Sequence, residues 1–158
     1  MEHKTNINAV DGKQELVITR EFDISLEYLF KAHAEAEIIE QWMGTRVLKL
    51  ESKRHGSYQF ETMHKGKAVF RANGTIHEFI LNKKITRTFE MENTPFGVQL
   101  EIYKFEKSTE ETSKLNIHII FESIALRDQM LQLPFAQGLN MAHNRLQAIV
   151  TKLKIVTQ

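Results

Sequence analysis

Tyr58, Glu78, Arg87 and His143 are the side chains of this sequence whose types could do chemistry in a protein interior. A phenol, a carboxylate or an imidazole in a dry pocket can exchange a proton with a ligand, and a guanidinium can hold a polar group in place. Seven histidines (His3, His33, His55, His64, His77, His118 and His143) are spread along the chain, with no pair at the i, i+4 spacing that puts two imidazoles on one helix face. A metal site would have to assemble from distant positions, and no metal ligand is assigned. The chain contains no cysteine, so disulfides, thiolate metal sites and cysteine nucleophiles fall away together. No Gly-rich phosphate loop, HExxH, GxSxG or EF-hand pattern occurs, so no cofactor is expected and no catalytic set is assigned.

The elements that must position these groups belong to one folding unit. With 158 residues, 42% apolar and 26% charged, the composition is that of a single globular domain over 1–158, with 1–13 a polar N-terminal extension. Lys plus Arg number 21 against 20 for Asp plus Glu, and a formal charge of +1 produces no field that would draw nucleic acid or an anionic membrane. No window approaches the ~20 apolar residues of a membrane span, and the start lacks a signal-peptide core, so a cytoplasmic location is expected.

Along the chain, Leu16, Ile18, Arg20 and Phe22 alternate with Val17, Thr19 and Glu21 as in a strand with one mostly apolar face. Ser25 can cap a helix bearing Leu26, Leu29 and Phe30, and a second short helix bearing Ile38, Ile39 and Trp42 stops at Gly44. Alternating segments at 47–51, 57–62, 67–80, 84–91, 98–107 and 115–121 then read as an antiparallel meander. After Pro134, a stripe of Phe135, Leu139, Ala142, Leu146, Ile149 and Leu153 predicts one long helix, into which Gly138 brings close packing or a bend. The expected class is α+β: a curved antiparallel sheet of about seven strands wrapped around the long C-terminal helix.

Hairpin lengths allow a register to be proposed, because paired residue numbers sum to a constant. A three-residue loop at His64, Lys65 and Gly66 sets Phe60 opposite Phe70. Closure around 81–84 sets Ile80 opposite Ile85, Glu78 opposite Arg87 and Ile76 opposite Phe89. Val98, Leu100 and Ile102 are then assigned to the same inner face, with Leu115, Ile117, Ile119 and Phe121, leaving Gln99, Glu101, Tyr103 and Phe105 outside. Glu78 and Arg87 among apolar neighbours are either a polar anchor in a cavity or a cross-strand ion pair at the open end of the sheet, and the pair is the simpler reading.

The order and spacing of Ile18-Thr19-Arg20-Glu21-Phe22, Gln41-Trp42-Met43-Gly44, Gly56-Ser57-Tyr58-Gln59-Phe60, Gly74-Thr75-Ile76-His77-Glu78-Phe79, and Gly138 with Leu146 carry a family resemblance. The chain resembles the activator of heat-shock-protein-90 ATPase homologues, within the START-like (SRPBCC) superfamily, over roughly 16–153. The resemblance implies a helix-grip, birch-pollen-allergen-like fold in which the space between sheet and helix often holds an apolar ligand. Relatives commonly carry a second Trp and a Pro where this chain has Met43 and Thr45, which implies a differently shaped pocket mouth.

The first expectation for function is binding of a small hydrophobic molecule in that cavity. Its walls would be Phe60, Phe70, Ile76, Phe89, Leu100, Ile102, Phe135, Leu139 and Met141, with Trp42 as a core anchor and His143 at the flank. Tyr58, Glu78 and Arg87 would supply the polar contacts. The resemblance also gives precedent for a cyclase or dehydratase using Glu78, Tyr58 or His143 as acid or base, and its name suggests a chaperone-interacting module. Tyr103 and Phe105, read as exposed, leave monomer and homodimer both open.

Overall fold

The computed structural model describes residues 3–157, with side chains described through Leu153. The elements are β1 (Asn6–Asn8), β2 (Glu15–Phe22), α1 (Leu26–Ala34), α2 (Ala36–Met43), β3 (Arg46–Leu50), β4 (Ser57–His64), β5 (Lys67–Ile80), β6 (Lys84–Met91), β7 (Val98–Lys107), β8 (Ser113–Ile120), α3 (Ile124–Gln132) and α4 (Phe135–Thr157). Eight strands form one antiparallel sheet in the order β1-β2-β8-β7-β6-β5-β4-β3. The eighth strand is β1, which lies within the polar N-terminal segment and pairs Ile7 with Ile18.

Local chemistry accounts for the helix ends. Ser25, in extended backbone, accepts the Tyr28 N–H and starts α1. One residue, Glu35, separates α1 from α2: its N–H donates to the Lys31 carbonyl and its own carbonyl accepts from Ile39. Gly44, at φ 64°, ends α2 in the left-handed conformation that glycine adopts without steric cost. Helix α3 is absent from the sequence expectation because it has no apolar stripe. Its buried members are Met130 and Arg127, whose Nη1 donates to the Val10 carbonyl at 2.6 Å and so ties α3 to the chain entering β2.

Three registers differ from expectation, and two of the differences change which side chains face inward. The β4–β5 turn is Lys65-Gly66, both at positive φ (51° and 78°), so the loop has two residues, and with the register shift between Thr62 and Met63 Phe60 pairs with Ala72. That shift is by two residues, so Phe60 stays on the buried side. Between β5 and β6, Ile80 pairs with Lys84 and a bulge lies between Ile76 and Glu78. The bulge turns Phe79 toward Ile85 and Phe30 and sets Glu78 beside Thr86, on the outer surface. In β7 the inner face is the reverse of the expected one. Arg87 pairs with Glu101, Ile85 with Tyr103 and Phe105 with Leu115, so Gln99, Glu101, Tyr103 and Phe105 face inward while Leu100 and Ile102 face outward.

Behind this sheet the core is continuous. Leu16, Ile18 and Phe22 from β2, Leu115, Ile117 and Ile119 from β8, Leu29 and Phe30 from α1, Ile39 and Trp42 from α2, and Leu146 and Val150 from α4 are all buried together. Burying a side chain of this kind contributes roughly 1.5–3 kcal/mol, which is why the seam between sheet and helices closes.

Gly74 and Gly138 behave oppositely. A Cβ on Gly74 would collide with the Thr88 carbonyl and stand 2.5 Å from the Tyr58 hydroxyl, so the absent side chain is what lets the Tyr58 ring lie across β5. Around Gly138 there is open space for a Cβ, so neither close packing nor a contact-driven bend explains it. Gly74→Ala is therefore expected to lower stability by more than about 2 kcal/mol, and Gly138→Ala to raise it by up to about 1 kcal/mol. Urea unfolding of the two variants checks both signs.

Candidate functional site

A cavity of about 160 Å³ lies between the sheet and the helices. Its sheet wall is Phe60 from β4, Arg87 from β6, Tyr103 from β7 and Ile117 from β8. Its helical wall is His33 from α1, Ile39, Trp42 and Met43 from α2, and Leu139, Ala142 and His143 from α4. Met43 is 37% exposed and therefore marks the mouth. Trp42 spends its only polar atom on the fold, donating Nε1–H to the Ala32 carbonyl at 2.8 Å, and offers the cavity an apolar ring.

Arg87 is the charge in this wall. Its guanidinium lies between the rings of Tyr58 and Tyr103, with its carbon 4.7 and 4.8 Å from their centroids. Nε donates to Glu101 Oε1 at 2.9 Å and Nη2 donates to the Tyr103 hydroxyl at 2.9 Å. The second Glu101 oxygen accepts from Gln99 Nε2 at 2.7 Å. The Arg87 and Glu101 side chains are only 13% and 6% exposed, so water cannot replace these bonds. A buried pair of this kind persists only when each charge is met by well-placed hydrogen bonds, as here. Burial holds the Tyr58 and Tyr103 hydroxyls well above the usual phenol range, so both are protonated donors at neutral pH. Tyr58 donates to the Thr88 carbonyl at 2.5 Å.

Two imidazoles face the same space. His33 Nδ1 lies 2.9 Å from the Leu29 carbonyl, and since a carbonyl only accepts, Nδ1 carries the proton and Nε2 the lone pair. That Nε2 is closed off from solvent and has no hydrogen-bond partner among the described residues. His143 Nδ1 is 2.7 Å from the Thr5 hydroxyl. Burial lowers the His33 pKa to about 4, against a raising contribution from the Leu29 carbonyl. Burial, with smaller effects from His33 and Arg20, lowers the His143 pKa to about 3. Both rings are neutral at pH 7, and the cavity's one cation is offset by Glu101.

Of the side chains expected to line a cavity, Trp42, Phe60, Arg87, Leu139 and His143 do so. Tyr58 is one layer behind, under Arg87. Ile76 is buried in the core, and Phe89 and Phe135 pack against that core without reaching the cavity. Glu78 pairs not with Arg87 but with Lys84 at 2.9 Å and Thr86 at 2.7 Å, on the outer face, so it cannot serve as an internal acid or base. Leu100 and Ile102 are turned outward by the β7 register. Phe70 is 39% exposed near the β4–β5 turn, and Met141 is 52% exposed on α4. Tyr103 and Phe105, read as exposed, are interior and so form no surface patch.

The structure adds His33, Ile39, Met43, Tyr103, Ile117 and Ala142 to the wall. His33 was legible in outline, four residues after Leu29 on the apolar side of α1. Tyr103 had no such signal, because Glu78 on the neighbouring strand already offers Arg87 a carboxylate and only the β6–β7 register puts Glu101 and Tyr103 inside. Among the described residues no three His, Asp or Glu side chains come together as metal ligands, and no helix is long and apolar enough to cross a membrane.

A curved antiparallel sheet closed by a long C-terminal helix over an internal cavity defines the helix-grip, START-like class. The sequence profile described as Activator of Hsp90 ATPase homolog 1-like protein matches residues 23–151, and the chain belongs to that family. Solved structures confirm the fold. A Mycobacterium smegmatis protein superposes with a TM-score of 0.81 at 17% identity, covering 92% of this chain and 96% of its own. An Arthrobacter aurescens protein gives 0.82 at 15% identity, covering 93% and 91%. A Rhodobacter sphaeroides protein gives 0.81 at 15% identity, covering 96% and 99%. A search of curated protein sequences gave no match.

Two measurements test the electrostatics. Arg87→Met strands the Glu101 carboxylate and is expected to cost about 3–5 kcal/mol in urea unfolding, much of it recovered in the Arg87→Met/Glu101→Leu double variant. The histidines make stability depend on pH in a defined direction. An unfolded histidine titrates near pH 6.5, so below that the unfolded chain takes up protons that folded His33 and His143 refuse down to about 4 and about 3. Each ring's contribution is complete above pH 6.5 and declines by up to about 1.4 kcal/mol per pH unit as the pH falls toward those values. His143→Asn should flatten the stability profile between pH 7 and 4.5; an unchanged slope would contradict the assignment.

Proposed function

We propose that the protein binds a small, neutral, mostly apolar molecule in the cavity between the sheet and α4. The observation that carries this reading is the cavity itself: about 160 Å³ at the helix–sheet seam, walled by Phe60, Trp42, Ile39, Ile117, Leu139 and Ala142, with few polar groups. Such a site is the usual design of a small-molecule pocket, apolar with a few fixed polar points. Membership in a START-like family, whose members commonly hold hydrophobic ligands, supports it.

Size and charge narrow the ligand. An apolar cavity of ~150 Å³ accommodates benzene, whereas drug-sized ligands occupy roughly 300–1,000 Å³. The ligand is therefore of about single-ring size unless Met43 and the mouth move. Arg87 is neutralised by Glu101, and both imidazoles are uncharged, so a carboxylate or ammonium would lose its hydration without a free counter-ion.

Binding to the folded state raises stability by about 2.7 kcal/mol at a ligand concentration 100 times Kd, equivalent to several degrees in Tm for a domain of this size. A panel of monocyclic compounds, toluene among them, should give a saturable rise in Tm and shift the amide resonances of Trp42 and Leu139. Ala142→Phe fills the cavity and should abolish both effects while leaving the circular dichroism spectrum unchanged. No saturable response from any compound in the panel would sink the proposal.

A further inference from the structure

Within this binding reading, on which the inference rests, we infer that the cavity selects a ring carrying a hydrogen-bond donor, of which a phenol is the simplest case, and that His33 Nε2 is the acceptor. The polarity of the His33 ring is set by its own helix. Nδ1–H is committed to the Leu29 carbonyl at 2.9 Å, which leaves Nε2 as a lone pair on the side of the ring away from α1. The ring stands among Trp42, Tyr103 and Phe105, with centroids 5.3, 5.7 and 5.3 Å away. No group among the described residues donates to this buried nitrogen. The nearby donors Trp42 Nε1, the Tyr103 hydroxyl, and Arg87 Nε and Nη2 are engaged elsewhere, on Ala32, on Glu101 at 3.3 Å and in the wall network.

A buried acceptor without a partner costs the folded protein free energy that a donor recovers. His33 lines the cavity while its Nε2 has no accessible surface, so a ligand hydroxyl supplies that donor once the imidazole turns toward the space, and the surrounding rings pack the ligand's apolar body. Arg87 complements it: its Nη1 has no hydrogen-bond partner among the described residues, and its guanidinium carbon lies 4.8 Å from the centroid of the Tyr103 ring that also neighbours His33. The cavity thus presents one acceptor and one donor in an otherwise apolar lining, a pattern that suits a hydroxyl and disfavours a methyl ether. The distinction rests on unpaired polar groups, which discriminate more strongly than apolar volume does.

The test compares phenol, anisole and toluene on the full chain by calorimetry, together with the 15N resonance of His33 Nε2. Phenol should move that resonance as the Nε2 lone pair accepts a hydrogen bond from its hydroxyl, and toluene should bind without moving it. The Kd ratio of anisole to phenol should fall about tenfold or more in His33→Leu, the range expected when a buried hydrogen bond is lost. His33→Gln, which keeps an acceptor, should retain part of the preference. If toluene binds, and phenol binds without moving the Nε2 resonance or with a ratio unaffected by His33→Leu, this inference is overturned while the binding reading stands. If none of the three compounds binds, the binding reading fails with it.

Discussion

Arg87 brings a full positive charge into the seam between the sheet and the long helix, and much of the interior is arranged around keeping it there. Glu101 faces it from β7, Gln99 holds the far oxygen of that carboxylate, and the rings of Tyr58 and Tyr103 cover the two faces of the guanidinium. Moving β7 by one residue would withdraw Glu101 and Tyr103 together and leave the cation buried among apolar groups. A register error that hydrophobic burial alone would tolerate becomes costly, because isolated buried charges are penalised far more than misplaced aliphatic side chains. The same constraint reaches β5, where Gly74 yields the space that the Tyr58 ring needs.

The helix that closes the seam is held at its edges by polar contacts. Arg20 donates to Asn140 and Asn144, the Thr5 N–H donates to Asn140, and the Asp23 N–H donates to Gln147 on the β2 side. On the α2 side, Arg145 donates to the Trp42 carbonyl at 3.0 Å. Leu146 and Val150 fill the core toward the C-terminal half of α4, while Leu139, Ala142 and His143 stand over the cavity. Directional bonds along its edges fix where α4 lies, so its apolar face need not be packed solid along the whole length. An internal space can persist where the fold's stability does not depend on filling it.

Much of the architecture was legible from the chain. The alternation in β2, the two short helices with Ser25 and Gly44 at their ends, the meander and the stripe of α4 follow from side-chain period and cap chemistry, and the helix-grip arrangement follows from their order. Trp42, Phe60, Arg87, Leu139 and His143 were placed near one another because each lies on the apolar side of its element. Taken one at a time, the aliphatic Leu100 and Ile102 suit an interior better than Glu101 and Tyr103, and nothing in the sequence marks the bulge after Ile76 that turns Glu78 outward.

The sequence by itself determined β2 to β8, α1, α2 and α4, whose order implies a sheet wrapped on the last helix, because these depend on side-chain period and caps among near neighbours in the chain; the three-residue β1 and the stripeless α3 left no such signal. Only the tertiary structure decided the chemistry of the interior. Leaving His33 Nε2 without a partner depends on how α1 packs against the sheet, pairing Arg87 with Glu101 depends on the β6–β7 register, and turning Glu78 to the surface depends on one unpaired residue in β5, at His77. A shift of one residue there costs nothing in local propensity but exchanges the two faces of a strand, so the choice is made by contacts distant in sequence.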